Sequence, residues 1–179
     1  MTYETIILDI SGHIATITLN RPDAMNSFTK RMMDECAHAW RHIAETDDIH
    51  CAVLRAAPGR AFSTGVDVKA AMQPGGSVMH DNIWTAEDPG EKLGPKSNRC
   101  WKPVICAVHG MAAGGAFYWI NEADIVICSE DATFFDPHVT YGMTAALEPI
   151  GATYRMPLGD VLRMALLGND ERISAMTAL

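Results

Sequence analysis

The fold is decided by one apolar stretch, VICAVHGMAAGGAFYW, at residues 104–119. Residues 104–108 predict a buried β-strand, and the glycines that follow separate this strand from an apolar helix. Residues 103–121 contain no charged side chain and imitate a membrane span. Proline, glycine and polar residues interrupt them, so a strand-turn-helix inside a folded domain is favoured over a transmembrane helix.

Strands alternate with helix or loop segments on both sides of this stretch. β-branched runs predict five strands, at residues 5–10, 14–19, 51–56, 104–108 and 124–128, of which the first two form a hairpin. Apolar residues at helical spacing predict an amphipathic helix over residues 28–44. The alternation predicts an α/β fold with right-handed crossovers, and a chain of 179 residues fits one domain.

The composition excludes several classes of protein. Hydrophobic residues make up 48% of the chain, which is enough for a core and excludes disorder. With 14 basic and 22 acidic residues the net charge is −8, so nucleic acid is not an expected partner. Residues 1–10 lack the basic and apolar regions of a secretory signal, and the cysteines form no CxxC pair. We therefore expect a cytoplasmic protein with reduced thiols and no membrane partner.

The alternation stops between residues 73 and 102. Neighbouring prolines and glycines interrupt a polar stretch that contains Trp84. Long loops in compact domains often form lids or binding loops. We expect residues 73–102 to form a loop region that faces the substrate, with simple disorder as the equal alternative.

Two glycine-containing turns are the strongest candidates for a site. The sequence AFSTGVDV occupies residues 61–68 and VHGMAAGGA occupies residues 108–116; each follows a predicted strand and precedes helix-compatible sequence. Backbone N–H groups at such a helix start can hold an anion or a polarised carbonyl oxygen, and glycine lets a ligand approach the backbone closely. Either turn alone is a weak signal, but the two in this order, about 50 residues apart, are specific.

With these turns the sequence resembles the crotonase superfamily of enoyl-CoA hydratases and isomerases. Five motifs carry the resemblance: NRPDAMN at 20–26, AFSTGVDV at 61–68, GMAAGGA at 110–116, ADI at 123–125 and ATF at 132–134. The resemblance covers essentially the whole chain. It implies a single crotonase-like domain over residues 1–179, with a ββα spiral core that binds acyl-CoA thioesters.

The resemblance also implies roles for individual residues. The backbone N–H groups of Val66 and Gly115 would form an oxyanion hole for the thioester carbonyl, where preorganised donors stabilise negative charge. The positions implied for coenzyme A binding are Ala24, Met25, Thr64, Val66, Asp67, Val68 and Gly115. Coenzyme A would arrive as part of the substrate, and neither a metal nor an organic cofactor is implied.

Two positions depart from the family pattern. A hydratase of this family has one glutamate after the second glycine turn and another shortly after the fifth strand, and here these positions hold Tyr118 and His138. Because histidine titrates near neutral pH and tyrosine at about 10, we expect His138 to be the acid/base group and Tyr118 a hydrogen-bond donor or proton source. Glu148, in the segment that lines the acyl pocket in relatives, is the third candidate. The alternatives are core packing for the tyrosine, a satisfied loop histidine and a solvated glutamate.

The expected function is acyl-CoA chemistry with non-standard acid/base residues: hydration, isomerisation, or cleavage of a carbon–carbon or thioester bond. A non-catalytic acyl-CoA binding protein is the alternative. A serine-type acyl hydrolase with Ser63 as nucleophile is a weaker one, because residues 58–60 end the preceding strand. His38 and His42 have the spacing of a helical metal pair but lie among charged residues, which favours a solvated face.

Members of the resembled family usually continue for several helices beyond the position of Ser174. Those helices cover the acyl pocket and help form trimers, often stacked as hexamers. This chain ends where they would start. We therefore expect a C-terminal helical trimerisation region that is missing or truncated, and a homotrimer or hexamer as the assembly.

Overall fold

The computed structural model describes residues 2–78, 84 and 88–178. Its strands are β1 (Ile6–Ser11), β2 (Ile14–Leu19), β3 (Cys51–Ala56), β4 (Ala61–Ser63), β5 (Val104–Val108), β6 (Met111–Ala113), β7 (Ile125–Cys128), β8 (Thr133–Phe135) and β9 (Ile173–Ser174). Its α-helices are α1 (Lys30–Glu45), α2 (Val68–Ala71), α3 (Gly90–Leu93), α4 (Phe117–Glu122), α5 (Leu147–Ala152), α6 (Leu158–Leu167) and α7 (Ala175–Ala178). Short 3-10 turns lie at Pro22–Ala24, Gly114–Ala116, His138–Tyr141 and Gly168–Asp170.

The strands form two sheets, and the chain alternates between them. The larger sheet has the order β1-β2-β3-β5-β7, with β1 antiparallel to β2 and the other neighbours parallel. The smaller sheet has the order β4-β6-β8-β9, with β9 antiparallel to β8 and the others parallel. From β3 onward, each strand of the larger sheet is followed by a strand of the smaller sheet and then by helical sequence. Repetition of this unit gives the ββα spiral that the resemblance implies.

The longest helix, α1, is hydrogen-bonded through its side chains to the residues before β1 and to α3, which precedes β5. α1 begins after Thr29, whose side-chain oxygen caps its N-terminus. The indole N–H of buried Trp40 donates to the Leu93 carbonyl at 2.7 Å and ties α1 to α3. The carboxylate of Glu35, also buried on α1, accepts from the N–H of Thr5 at 2.9 Å and from its hydroxyl at 2.6 Å. Side chains of α1 therefore fix the positions of both the segment before β1 and α3.

All five predicted strands are present, with bounds within one residue of the prediction. The strands of the smaller sheet are not predicted, because each has only two or three residues and no readable periodicity. Residues 61–63 and 111–113, interpreted from the sequence as parts of turns, are instead β4 and β6. They pair in parallel, with Ala61 opposite Met111.

Residues 103–121 form β5, β6 and α4, as the strand-turn-helix interpretation predicts. Within the described ranges, no helix is both long and apolar enough to cross a membrane. In the region 73–102, residues 90–93 form α3, while residues 79–83 and 85–87 lie outside the described part of the chain. The substrate-facing role of that region stays a prediction.

Candidate functional site

The first glycine turn leaves the end of β4 and is fixed by its own side chains. Ser63 is fully buried; its hydroxyl donates to the Asn26 carbonyl at 2.9 Å and accepts from the Gly65 N–H at 3.2 Å. Gly65 has a φ of +80°, in the region that favours glycine. The Ser63 hydroxyl therefore holds the turn in shape, and these contacts do not favour its use as a nucleophile.

Val66 lies where this turn pairs with the segment before α1. The Phe28 N–H donates to the Gly65 carbonyl at 2.8 Å, and the Asp67 N–H donates to the Phe28 carbonyl at 2.9 Å. Because the residue between two paired neighbours points its own N–H to the other side, the Val66 N–H faces away from Phe28. It donates to no acceptor among the residues that the structure describes.

Asp67 anchors the end of the first turn. Its carboxylate accepts from the N–H of Ala70 at 3.0 Å, which caps α2, and pairs with the Arg21 guanidinium at 2.9 Å. Burial would raise the pKa of this carboxyl, but the hydrogen bonds and the charge of Arg21 hold the pKa below its ordinary value. Arg21 also donates to the Ser27 carbonyl. Residues 64–68 are thereby held against residues 21–27.

The positions predicted for coenzyme A come together at this junction. The Thr64 N–H donates to the Met25 carbonyl at 3.2 Å, and Ala24 ends the 3-10 turn immediately before Met25. Met25 and Val68 remain 37% and 53% exposed. The structure therefore brings these predicted positions onto one accessible surface.

The second glycine turn follows β6 and touches the first. Gly114 has a φ of +50° and opens the 3-10 turn that contains Gly115. A Cβ at Gly65 would lie 2.9 Å from the Gly115 nitrogen and 3.0 Å from the Ala113 carbonyl oxygen, so a side chain at residue 65 is excluded by close contact. The Gly115 N–H is one of the first in its helical turn, where no preceding carbonyl is in reach. The two predicted N–H donors thus lie on turns that are in contact.

Tyr118, His138 and Glu148 also lie close together. His138 Nε2 is 3.8 Å from the Glu148 carboxylate. The Tyr118 hydroxyl donates to the Asp88 carboxylate at 3.1 Å, and Glu148 is near enough for its charge to act on the phenol. His138 and Glu148 are largely buried, so neither is a freely solvated group.

This cluster borders the second glycine turn. A Cβ at Gly114 would lie 3.8 Å from His138 Cε1, and a Cβ at Gly115 would lie 3.4 Å from Tyr118 Cε2. Tyr118 is carried by α4, directly after the turn, and His138 opens the 3-10 turn after β8. The ends of β6 and β8, which are neighbours in the smaller sheet, therefore bring backbone donors and ionisable side chains together.

A family model for enoyl-CoA hydratase/isomerase matches residues 9–178 of the chain. The chain belongs to this family. The assignment confirms the resemblance to the crotonase superfamily and the fold class derived with it.

Several members of the enoyl-CoA hydratase/isomerase family are similar over nearly the whole chain. The (E)-benzylidenesuccinyl-CoA hydratase of Thauera aromatica is 32% identical over 176 residues, covering 97% of this chain and 66% of that protein. The mitochondrial Delta(3,5)-Delta(2,4)-dienoyl-CoA isomerase of Mus musculus is 27% identical, covering 98% and 53%. A crystal structure of an enoyl-CoA hydratase/isomerase from Mycobacterium paratuberculosis has a TM-score of 0.87 and 38% identity, covering 99% and 67%. The chain spans between 53% and 67% of the length of these relatives.

Burial and neighbouring charges shift the pKa of all three candidate side chains in this enoyl-CoA hydratase/isomerase family member. The pKa of Tyr118 is raised far above its ordinary range by burial and then by the charges of Glu148 and Asp88, so the phenol stays protonated. Burial raises the pKa of Glu148. The pKa of His138 is raised by its hydrogen bond to Asp136, against the opposing effect of burial. The site therefore holds a permanent donor, a carboxyl that retains its proton more strongly than usual, and a more basic imidazole.

Sequence reasoning missed Asp136 and Asp88. Asp136 accepts from the His138 backbone N–H at 3.0 Å, and its carboxylate lies 2.5 Å from the His138 ring Nδ1. The available signal was local: an aspartate side chain often accepts from the backbone N–H two residues further along, and here that N–H belongs to His138. Asp88 carries no such signal, because its contact with Tyr118 joins residues 30 positions apart.

Asp136, His138 and Glu148 are also a group of side chains whose donor atoms lie within 4.8 Å of one another, as metal ligands would. The 2.5 Å contact between Asp136 and the His138 ring is, however, the spacing of a hydrogen bond rather than of two ligands around one ion. The His38 ring is hydrogen-bonded to the Tyr3 hydroxyl at 2.8 Å. That contact fits a structural role for His38.

Proposed function

We propose that this chain processes acyl-CoA thioesters by stabilising a thioester enolate or oxyanion with the backbone N–H groups of Val66 and Gly115. One observation carries the proposal: two glycine turns from distant parts of the chain meet so closely that residue 65 has no room for a side chain. The Val66 N–H donates to no acceptor among the described residues, and the Gly115 N–H lies in the first turn of a helical segment, where backbone donors have no intrahelical acceptor. Two such donors, aimed at a developing negative charge, contribute on the order of 10²-fold to 10³-fold each to a rate.

His138 is the proposed acid/base group for this reaction. When a proton leaves the carbon next to the thioester, the C–H electron pair moves toward the carbonyl oxygen and the proton forms a bond to the imidazole. Glu148, 3.8 Å from His138 Nε2, is the second ionisable group in reach and retains a proton more strongly than usual. Tyr118 is the proposed hydrogen-bond donor: its raised pKa keeps the phenol protonated, and its single hydrogen turns from the Asp88 carboxylate to the substrate when the acyl group binds.

The names of the relatives support this class of chemistry. They include a hydratase and an isomerase, both of CoA thioesters. Adding water across a conjugated double bond and moving that double bond share the need to stabilise charge on the thioester oxygen. We propose hydration or isomerisation as the reaction, with carbon–carbon or thioester cleavage as the further options for an enolate site.

Coenzyme A is proposed to bind as part of the substrate, along Ala24, Met25, Thr64, Asp67 and Val68, with Val66 and Gly115 at the thioester. The contacts between residues 21–27 and 64–68 support this path, because they give it one continuous surface. No resident cofactor is proposed.

A homotrimer, or a hexamer of two trimers, is the proposed assembly. Large apolar side chains on α5 and α6 support it: Ile150, Leu158 and Leu166 are 58%, 61% and 68% exposed. Exposed apolar surface of this kind favours burial against another segment or subunit. Light scattering on the full protein gives the number of subunits directly, and a monomer at working concentration would contradict the proposal.

Turnover of a substrate panel, combined with a His138→Ala variant, tests the function. Enoyl-CoA, 3-oxoacyl-CoA and saturated acyl-CoA thioesters are offered, and product formation and exchange of α-protons in D₂O are followed. We expect His138→Ala to lose about 10²-fold to 10⁴-fold of turnover with nearly unchanged acyl-CoA affinity. His42→Ala, at an exposed position of α1, is the matched control and keeps its activity.

Two outcomes would contradict the proposal. Unchanged turnover in His138→Ala would remove His138 from the acid/base role. Saturable acyl-CoA binding by the wild-type protein, with neither product nor proton exchange across the panel, would favour the non-catalytic binding protein instead.

A further inference from the structure

His138 has a dedicated buried partner, and the inference drawn from it rests on the proposed function. Asp136 follows β8 directly, and none of its surface is exposed. One of its carboxylate oxygens lies 2.5 Å from His138 Nδ1 and also accepts from the His138 backbone N–H at 3.0 Å. The same oxygen therefore contacts both the backbone and the ring of the proposed acid/base residue.

These contacts determine which ring nitrogen is available for chemistry. An ionised carboxylate only accepts hydrogen bonds, so its contact with Nδ1 requires the proton to be on Nδ1. The neutral ring then has its lone pair on Nε2, which is the nitrogen nearest Glu148. We infer that Asp136 is a positioning residue that fixes the Nδ1–H tautomer of His138 and so makes Nε2 the atom that exchanges a proton with the acyl chain.

The buried charge of Asp136 supports this role over a purely structural one. Capping the turn needs one acceptor oxygen and no charge, and an asparagine would supply it. A buried carboxylate is costly unless it is paired, yet the second oxygen of Asp136 has no hydrogen-bond partner among the described residues. The charge is accounted for if it stabilises the imidazolium that forms when Nε2 takes up a proton.

Among the described residues, Asp136 and Glu148 act on the charge of His138, and the charges of Glu148 and Asp88 act on Tyr118. The elements packed against the His138 turn, α6 and the Gly168–Asp170 turn, carry Asp160, Arg163 and Asp170. Arg163 is engaged with Glu171 at 2.7 Å. Removing the Asp136 charge therefore removes the nearest anion from the ring.

Nitrogen NMR of the free protein tests the tautomer without any substrate. In ¹⁵N-labelled wild-type protein above the His138 pKa, Nδ1 is expected to give the shift of a protonated nitrogen and Nε2 that of an unprotonated one. In Asp136→Asn, which preserves an acceptor for the turn, the pKa of His138 is expected to fall. Asp131→Asn, which removes an exposed carboxylate from the connection between β7 and β8, is the matched control and leaves the titration unchanged.

Steady-state kinetics supply the second measurement. Asp136→Asn is expected to lower kcat by about 10-fold to 10²-fold with little change in KM, and to move the acid limb of the pH profile to lower pH. The direction follows from the charge: the Asp136 anion favours the protonated ring, so its loss lets the ring become neutral, and active as a base, at lower pH.

The outcomes separate the inference from the proposed function. A wild-type His138 protonated on Nε2, or an Asp136→Asn protein that is folded but has an unchanged His138 titration, would overturn the positioning role even if acyl-CoA turnover is found. If His138 shows the Nδ1–H tautomer and the expected shift while no acyl-CoA is turned over, the proposed function fails and the positioning contact stands. The wild-type tautomer decides the inference even where Asp136→Asn does not fold.

Discussion

At the residue scale, Gly65 sets the distance between the two turns of the site. Its φ of +80° is strained for other residues, and its Cα faces the Gly115 nitrogen and the Ala113 carbonyl. The sequence predicts that both glycine turns belong to the functional site, because each follows a predicted strand and precedes helix-compatible sequence. Their direct contact could not be predicted, because it depends on the parallel pairing of β4 with β6 across about 50 residues.

Gly65→Ala is expected to lose activity beyond what its backbone strain explains. Strain at this φ costs about 1–3 kcal/mol of stability, and the methyl group would push against the Gly115 nitrogen, lowering kcat/KM on the order of 10²-fold. Gly12→Ala, in the β1–β2 hairpin, is the control: its φ is +56°, but no atom lies within 4 Å of the added carbon. Urea unfolding and kcat/KM are measured for both; equal kcat/KM in the two variants would contradict the close-contact explanation.

At the element scale, a buried carboxylate joins the residues just before β1 to α1. Glu35 accepts from the N–H of Glu4 at 3.0 Å, from both donors of Thr5, and from the Arg31 guanidinium at 2.6 Å. Burial alone would raise the pKa of Glu35, but these hydrogen bonds together lower it below its ordinary value of 4.5. The charged form is therefore the one that stabilises the packing of β1 against the helix.

Glu35→Gln should destabilise the fold at neutral pH and show a weaker pH dependence below it. We expect a loss of about 2–4 kcal/mol at pH 7, because the amide offers a donor where the surrounding groups are donors. Since the folded-state pKa is depressed, the wild-type advantage is present above pH 4.5 and is lost as the pH falls through the folded pKa. Glu45→Gln, at the exposed end of α1, is the control for charge removal. Urea unfolding at pH 7 and in acid gives the comparison, and an equal cost in the two variants would argue against the buried network.

Strands long enough to show a run of β-branched residues could be predicted from the sequence, and the shorter strands could not. β1, β2, β3, β5 and β7 have four to six residues with β-branched character, whereas β4, β6, β8 and β9 have two or three. Likewise Tyr118 and His138 are identified through the resemblance, by counting from Gly115 and from Phe134 to the two glutamate positions of the family pattern. Asp88 is missed because its position depends on how α3 docks against Trp40.

At the scale of the whole molecule, the burial of the cysteines reports on the integrity of the fold. The structure describes all five as free thiols; Cys36, Cys100 and Cys106 are fully buried, and Cys51 and Cys128 are half-buried. Burial raises the thiol pKa of the first three. Reaction with a thiol reagent requires both access and a thiolate. The three buried thiols are therefore protected both by poor access and by a raised pKa, whereas Cys51 and Cys128 are accessible to the reagent.

Titration of the native protein with a disulfide reagent at pH 8 is expected to label two cysteines first, with the other three reacting only as the molecule unfolds. Cys51→Ser and Cys128→Ser should each remove one early thiol, and Cys106→Ser should remove a late one. Early labelling of more than two thiols would contradict the burial of the core on which both sheets depend.

The hydrogen bond between the Trp40 indole and Leu93 links the core to the candidate site. The Gly90 N–H donates to the Asp88 carboxylate at 2.8 Å, so the acceptor of the Tyr118 hydroxyl is carried by α3, and α3 is fastened to the core. Trp40 is remote in sequence from Tyr118, yet the packing of α1 against α3 helps set where the acceptor of the Tyr118 hydroxyl lies. A substitution in the core at Trp40 is therefore transmitted to the candidate site through Asp88.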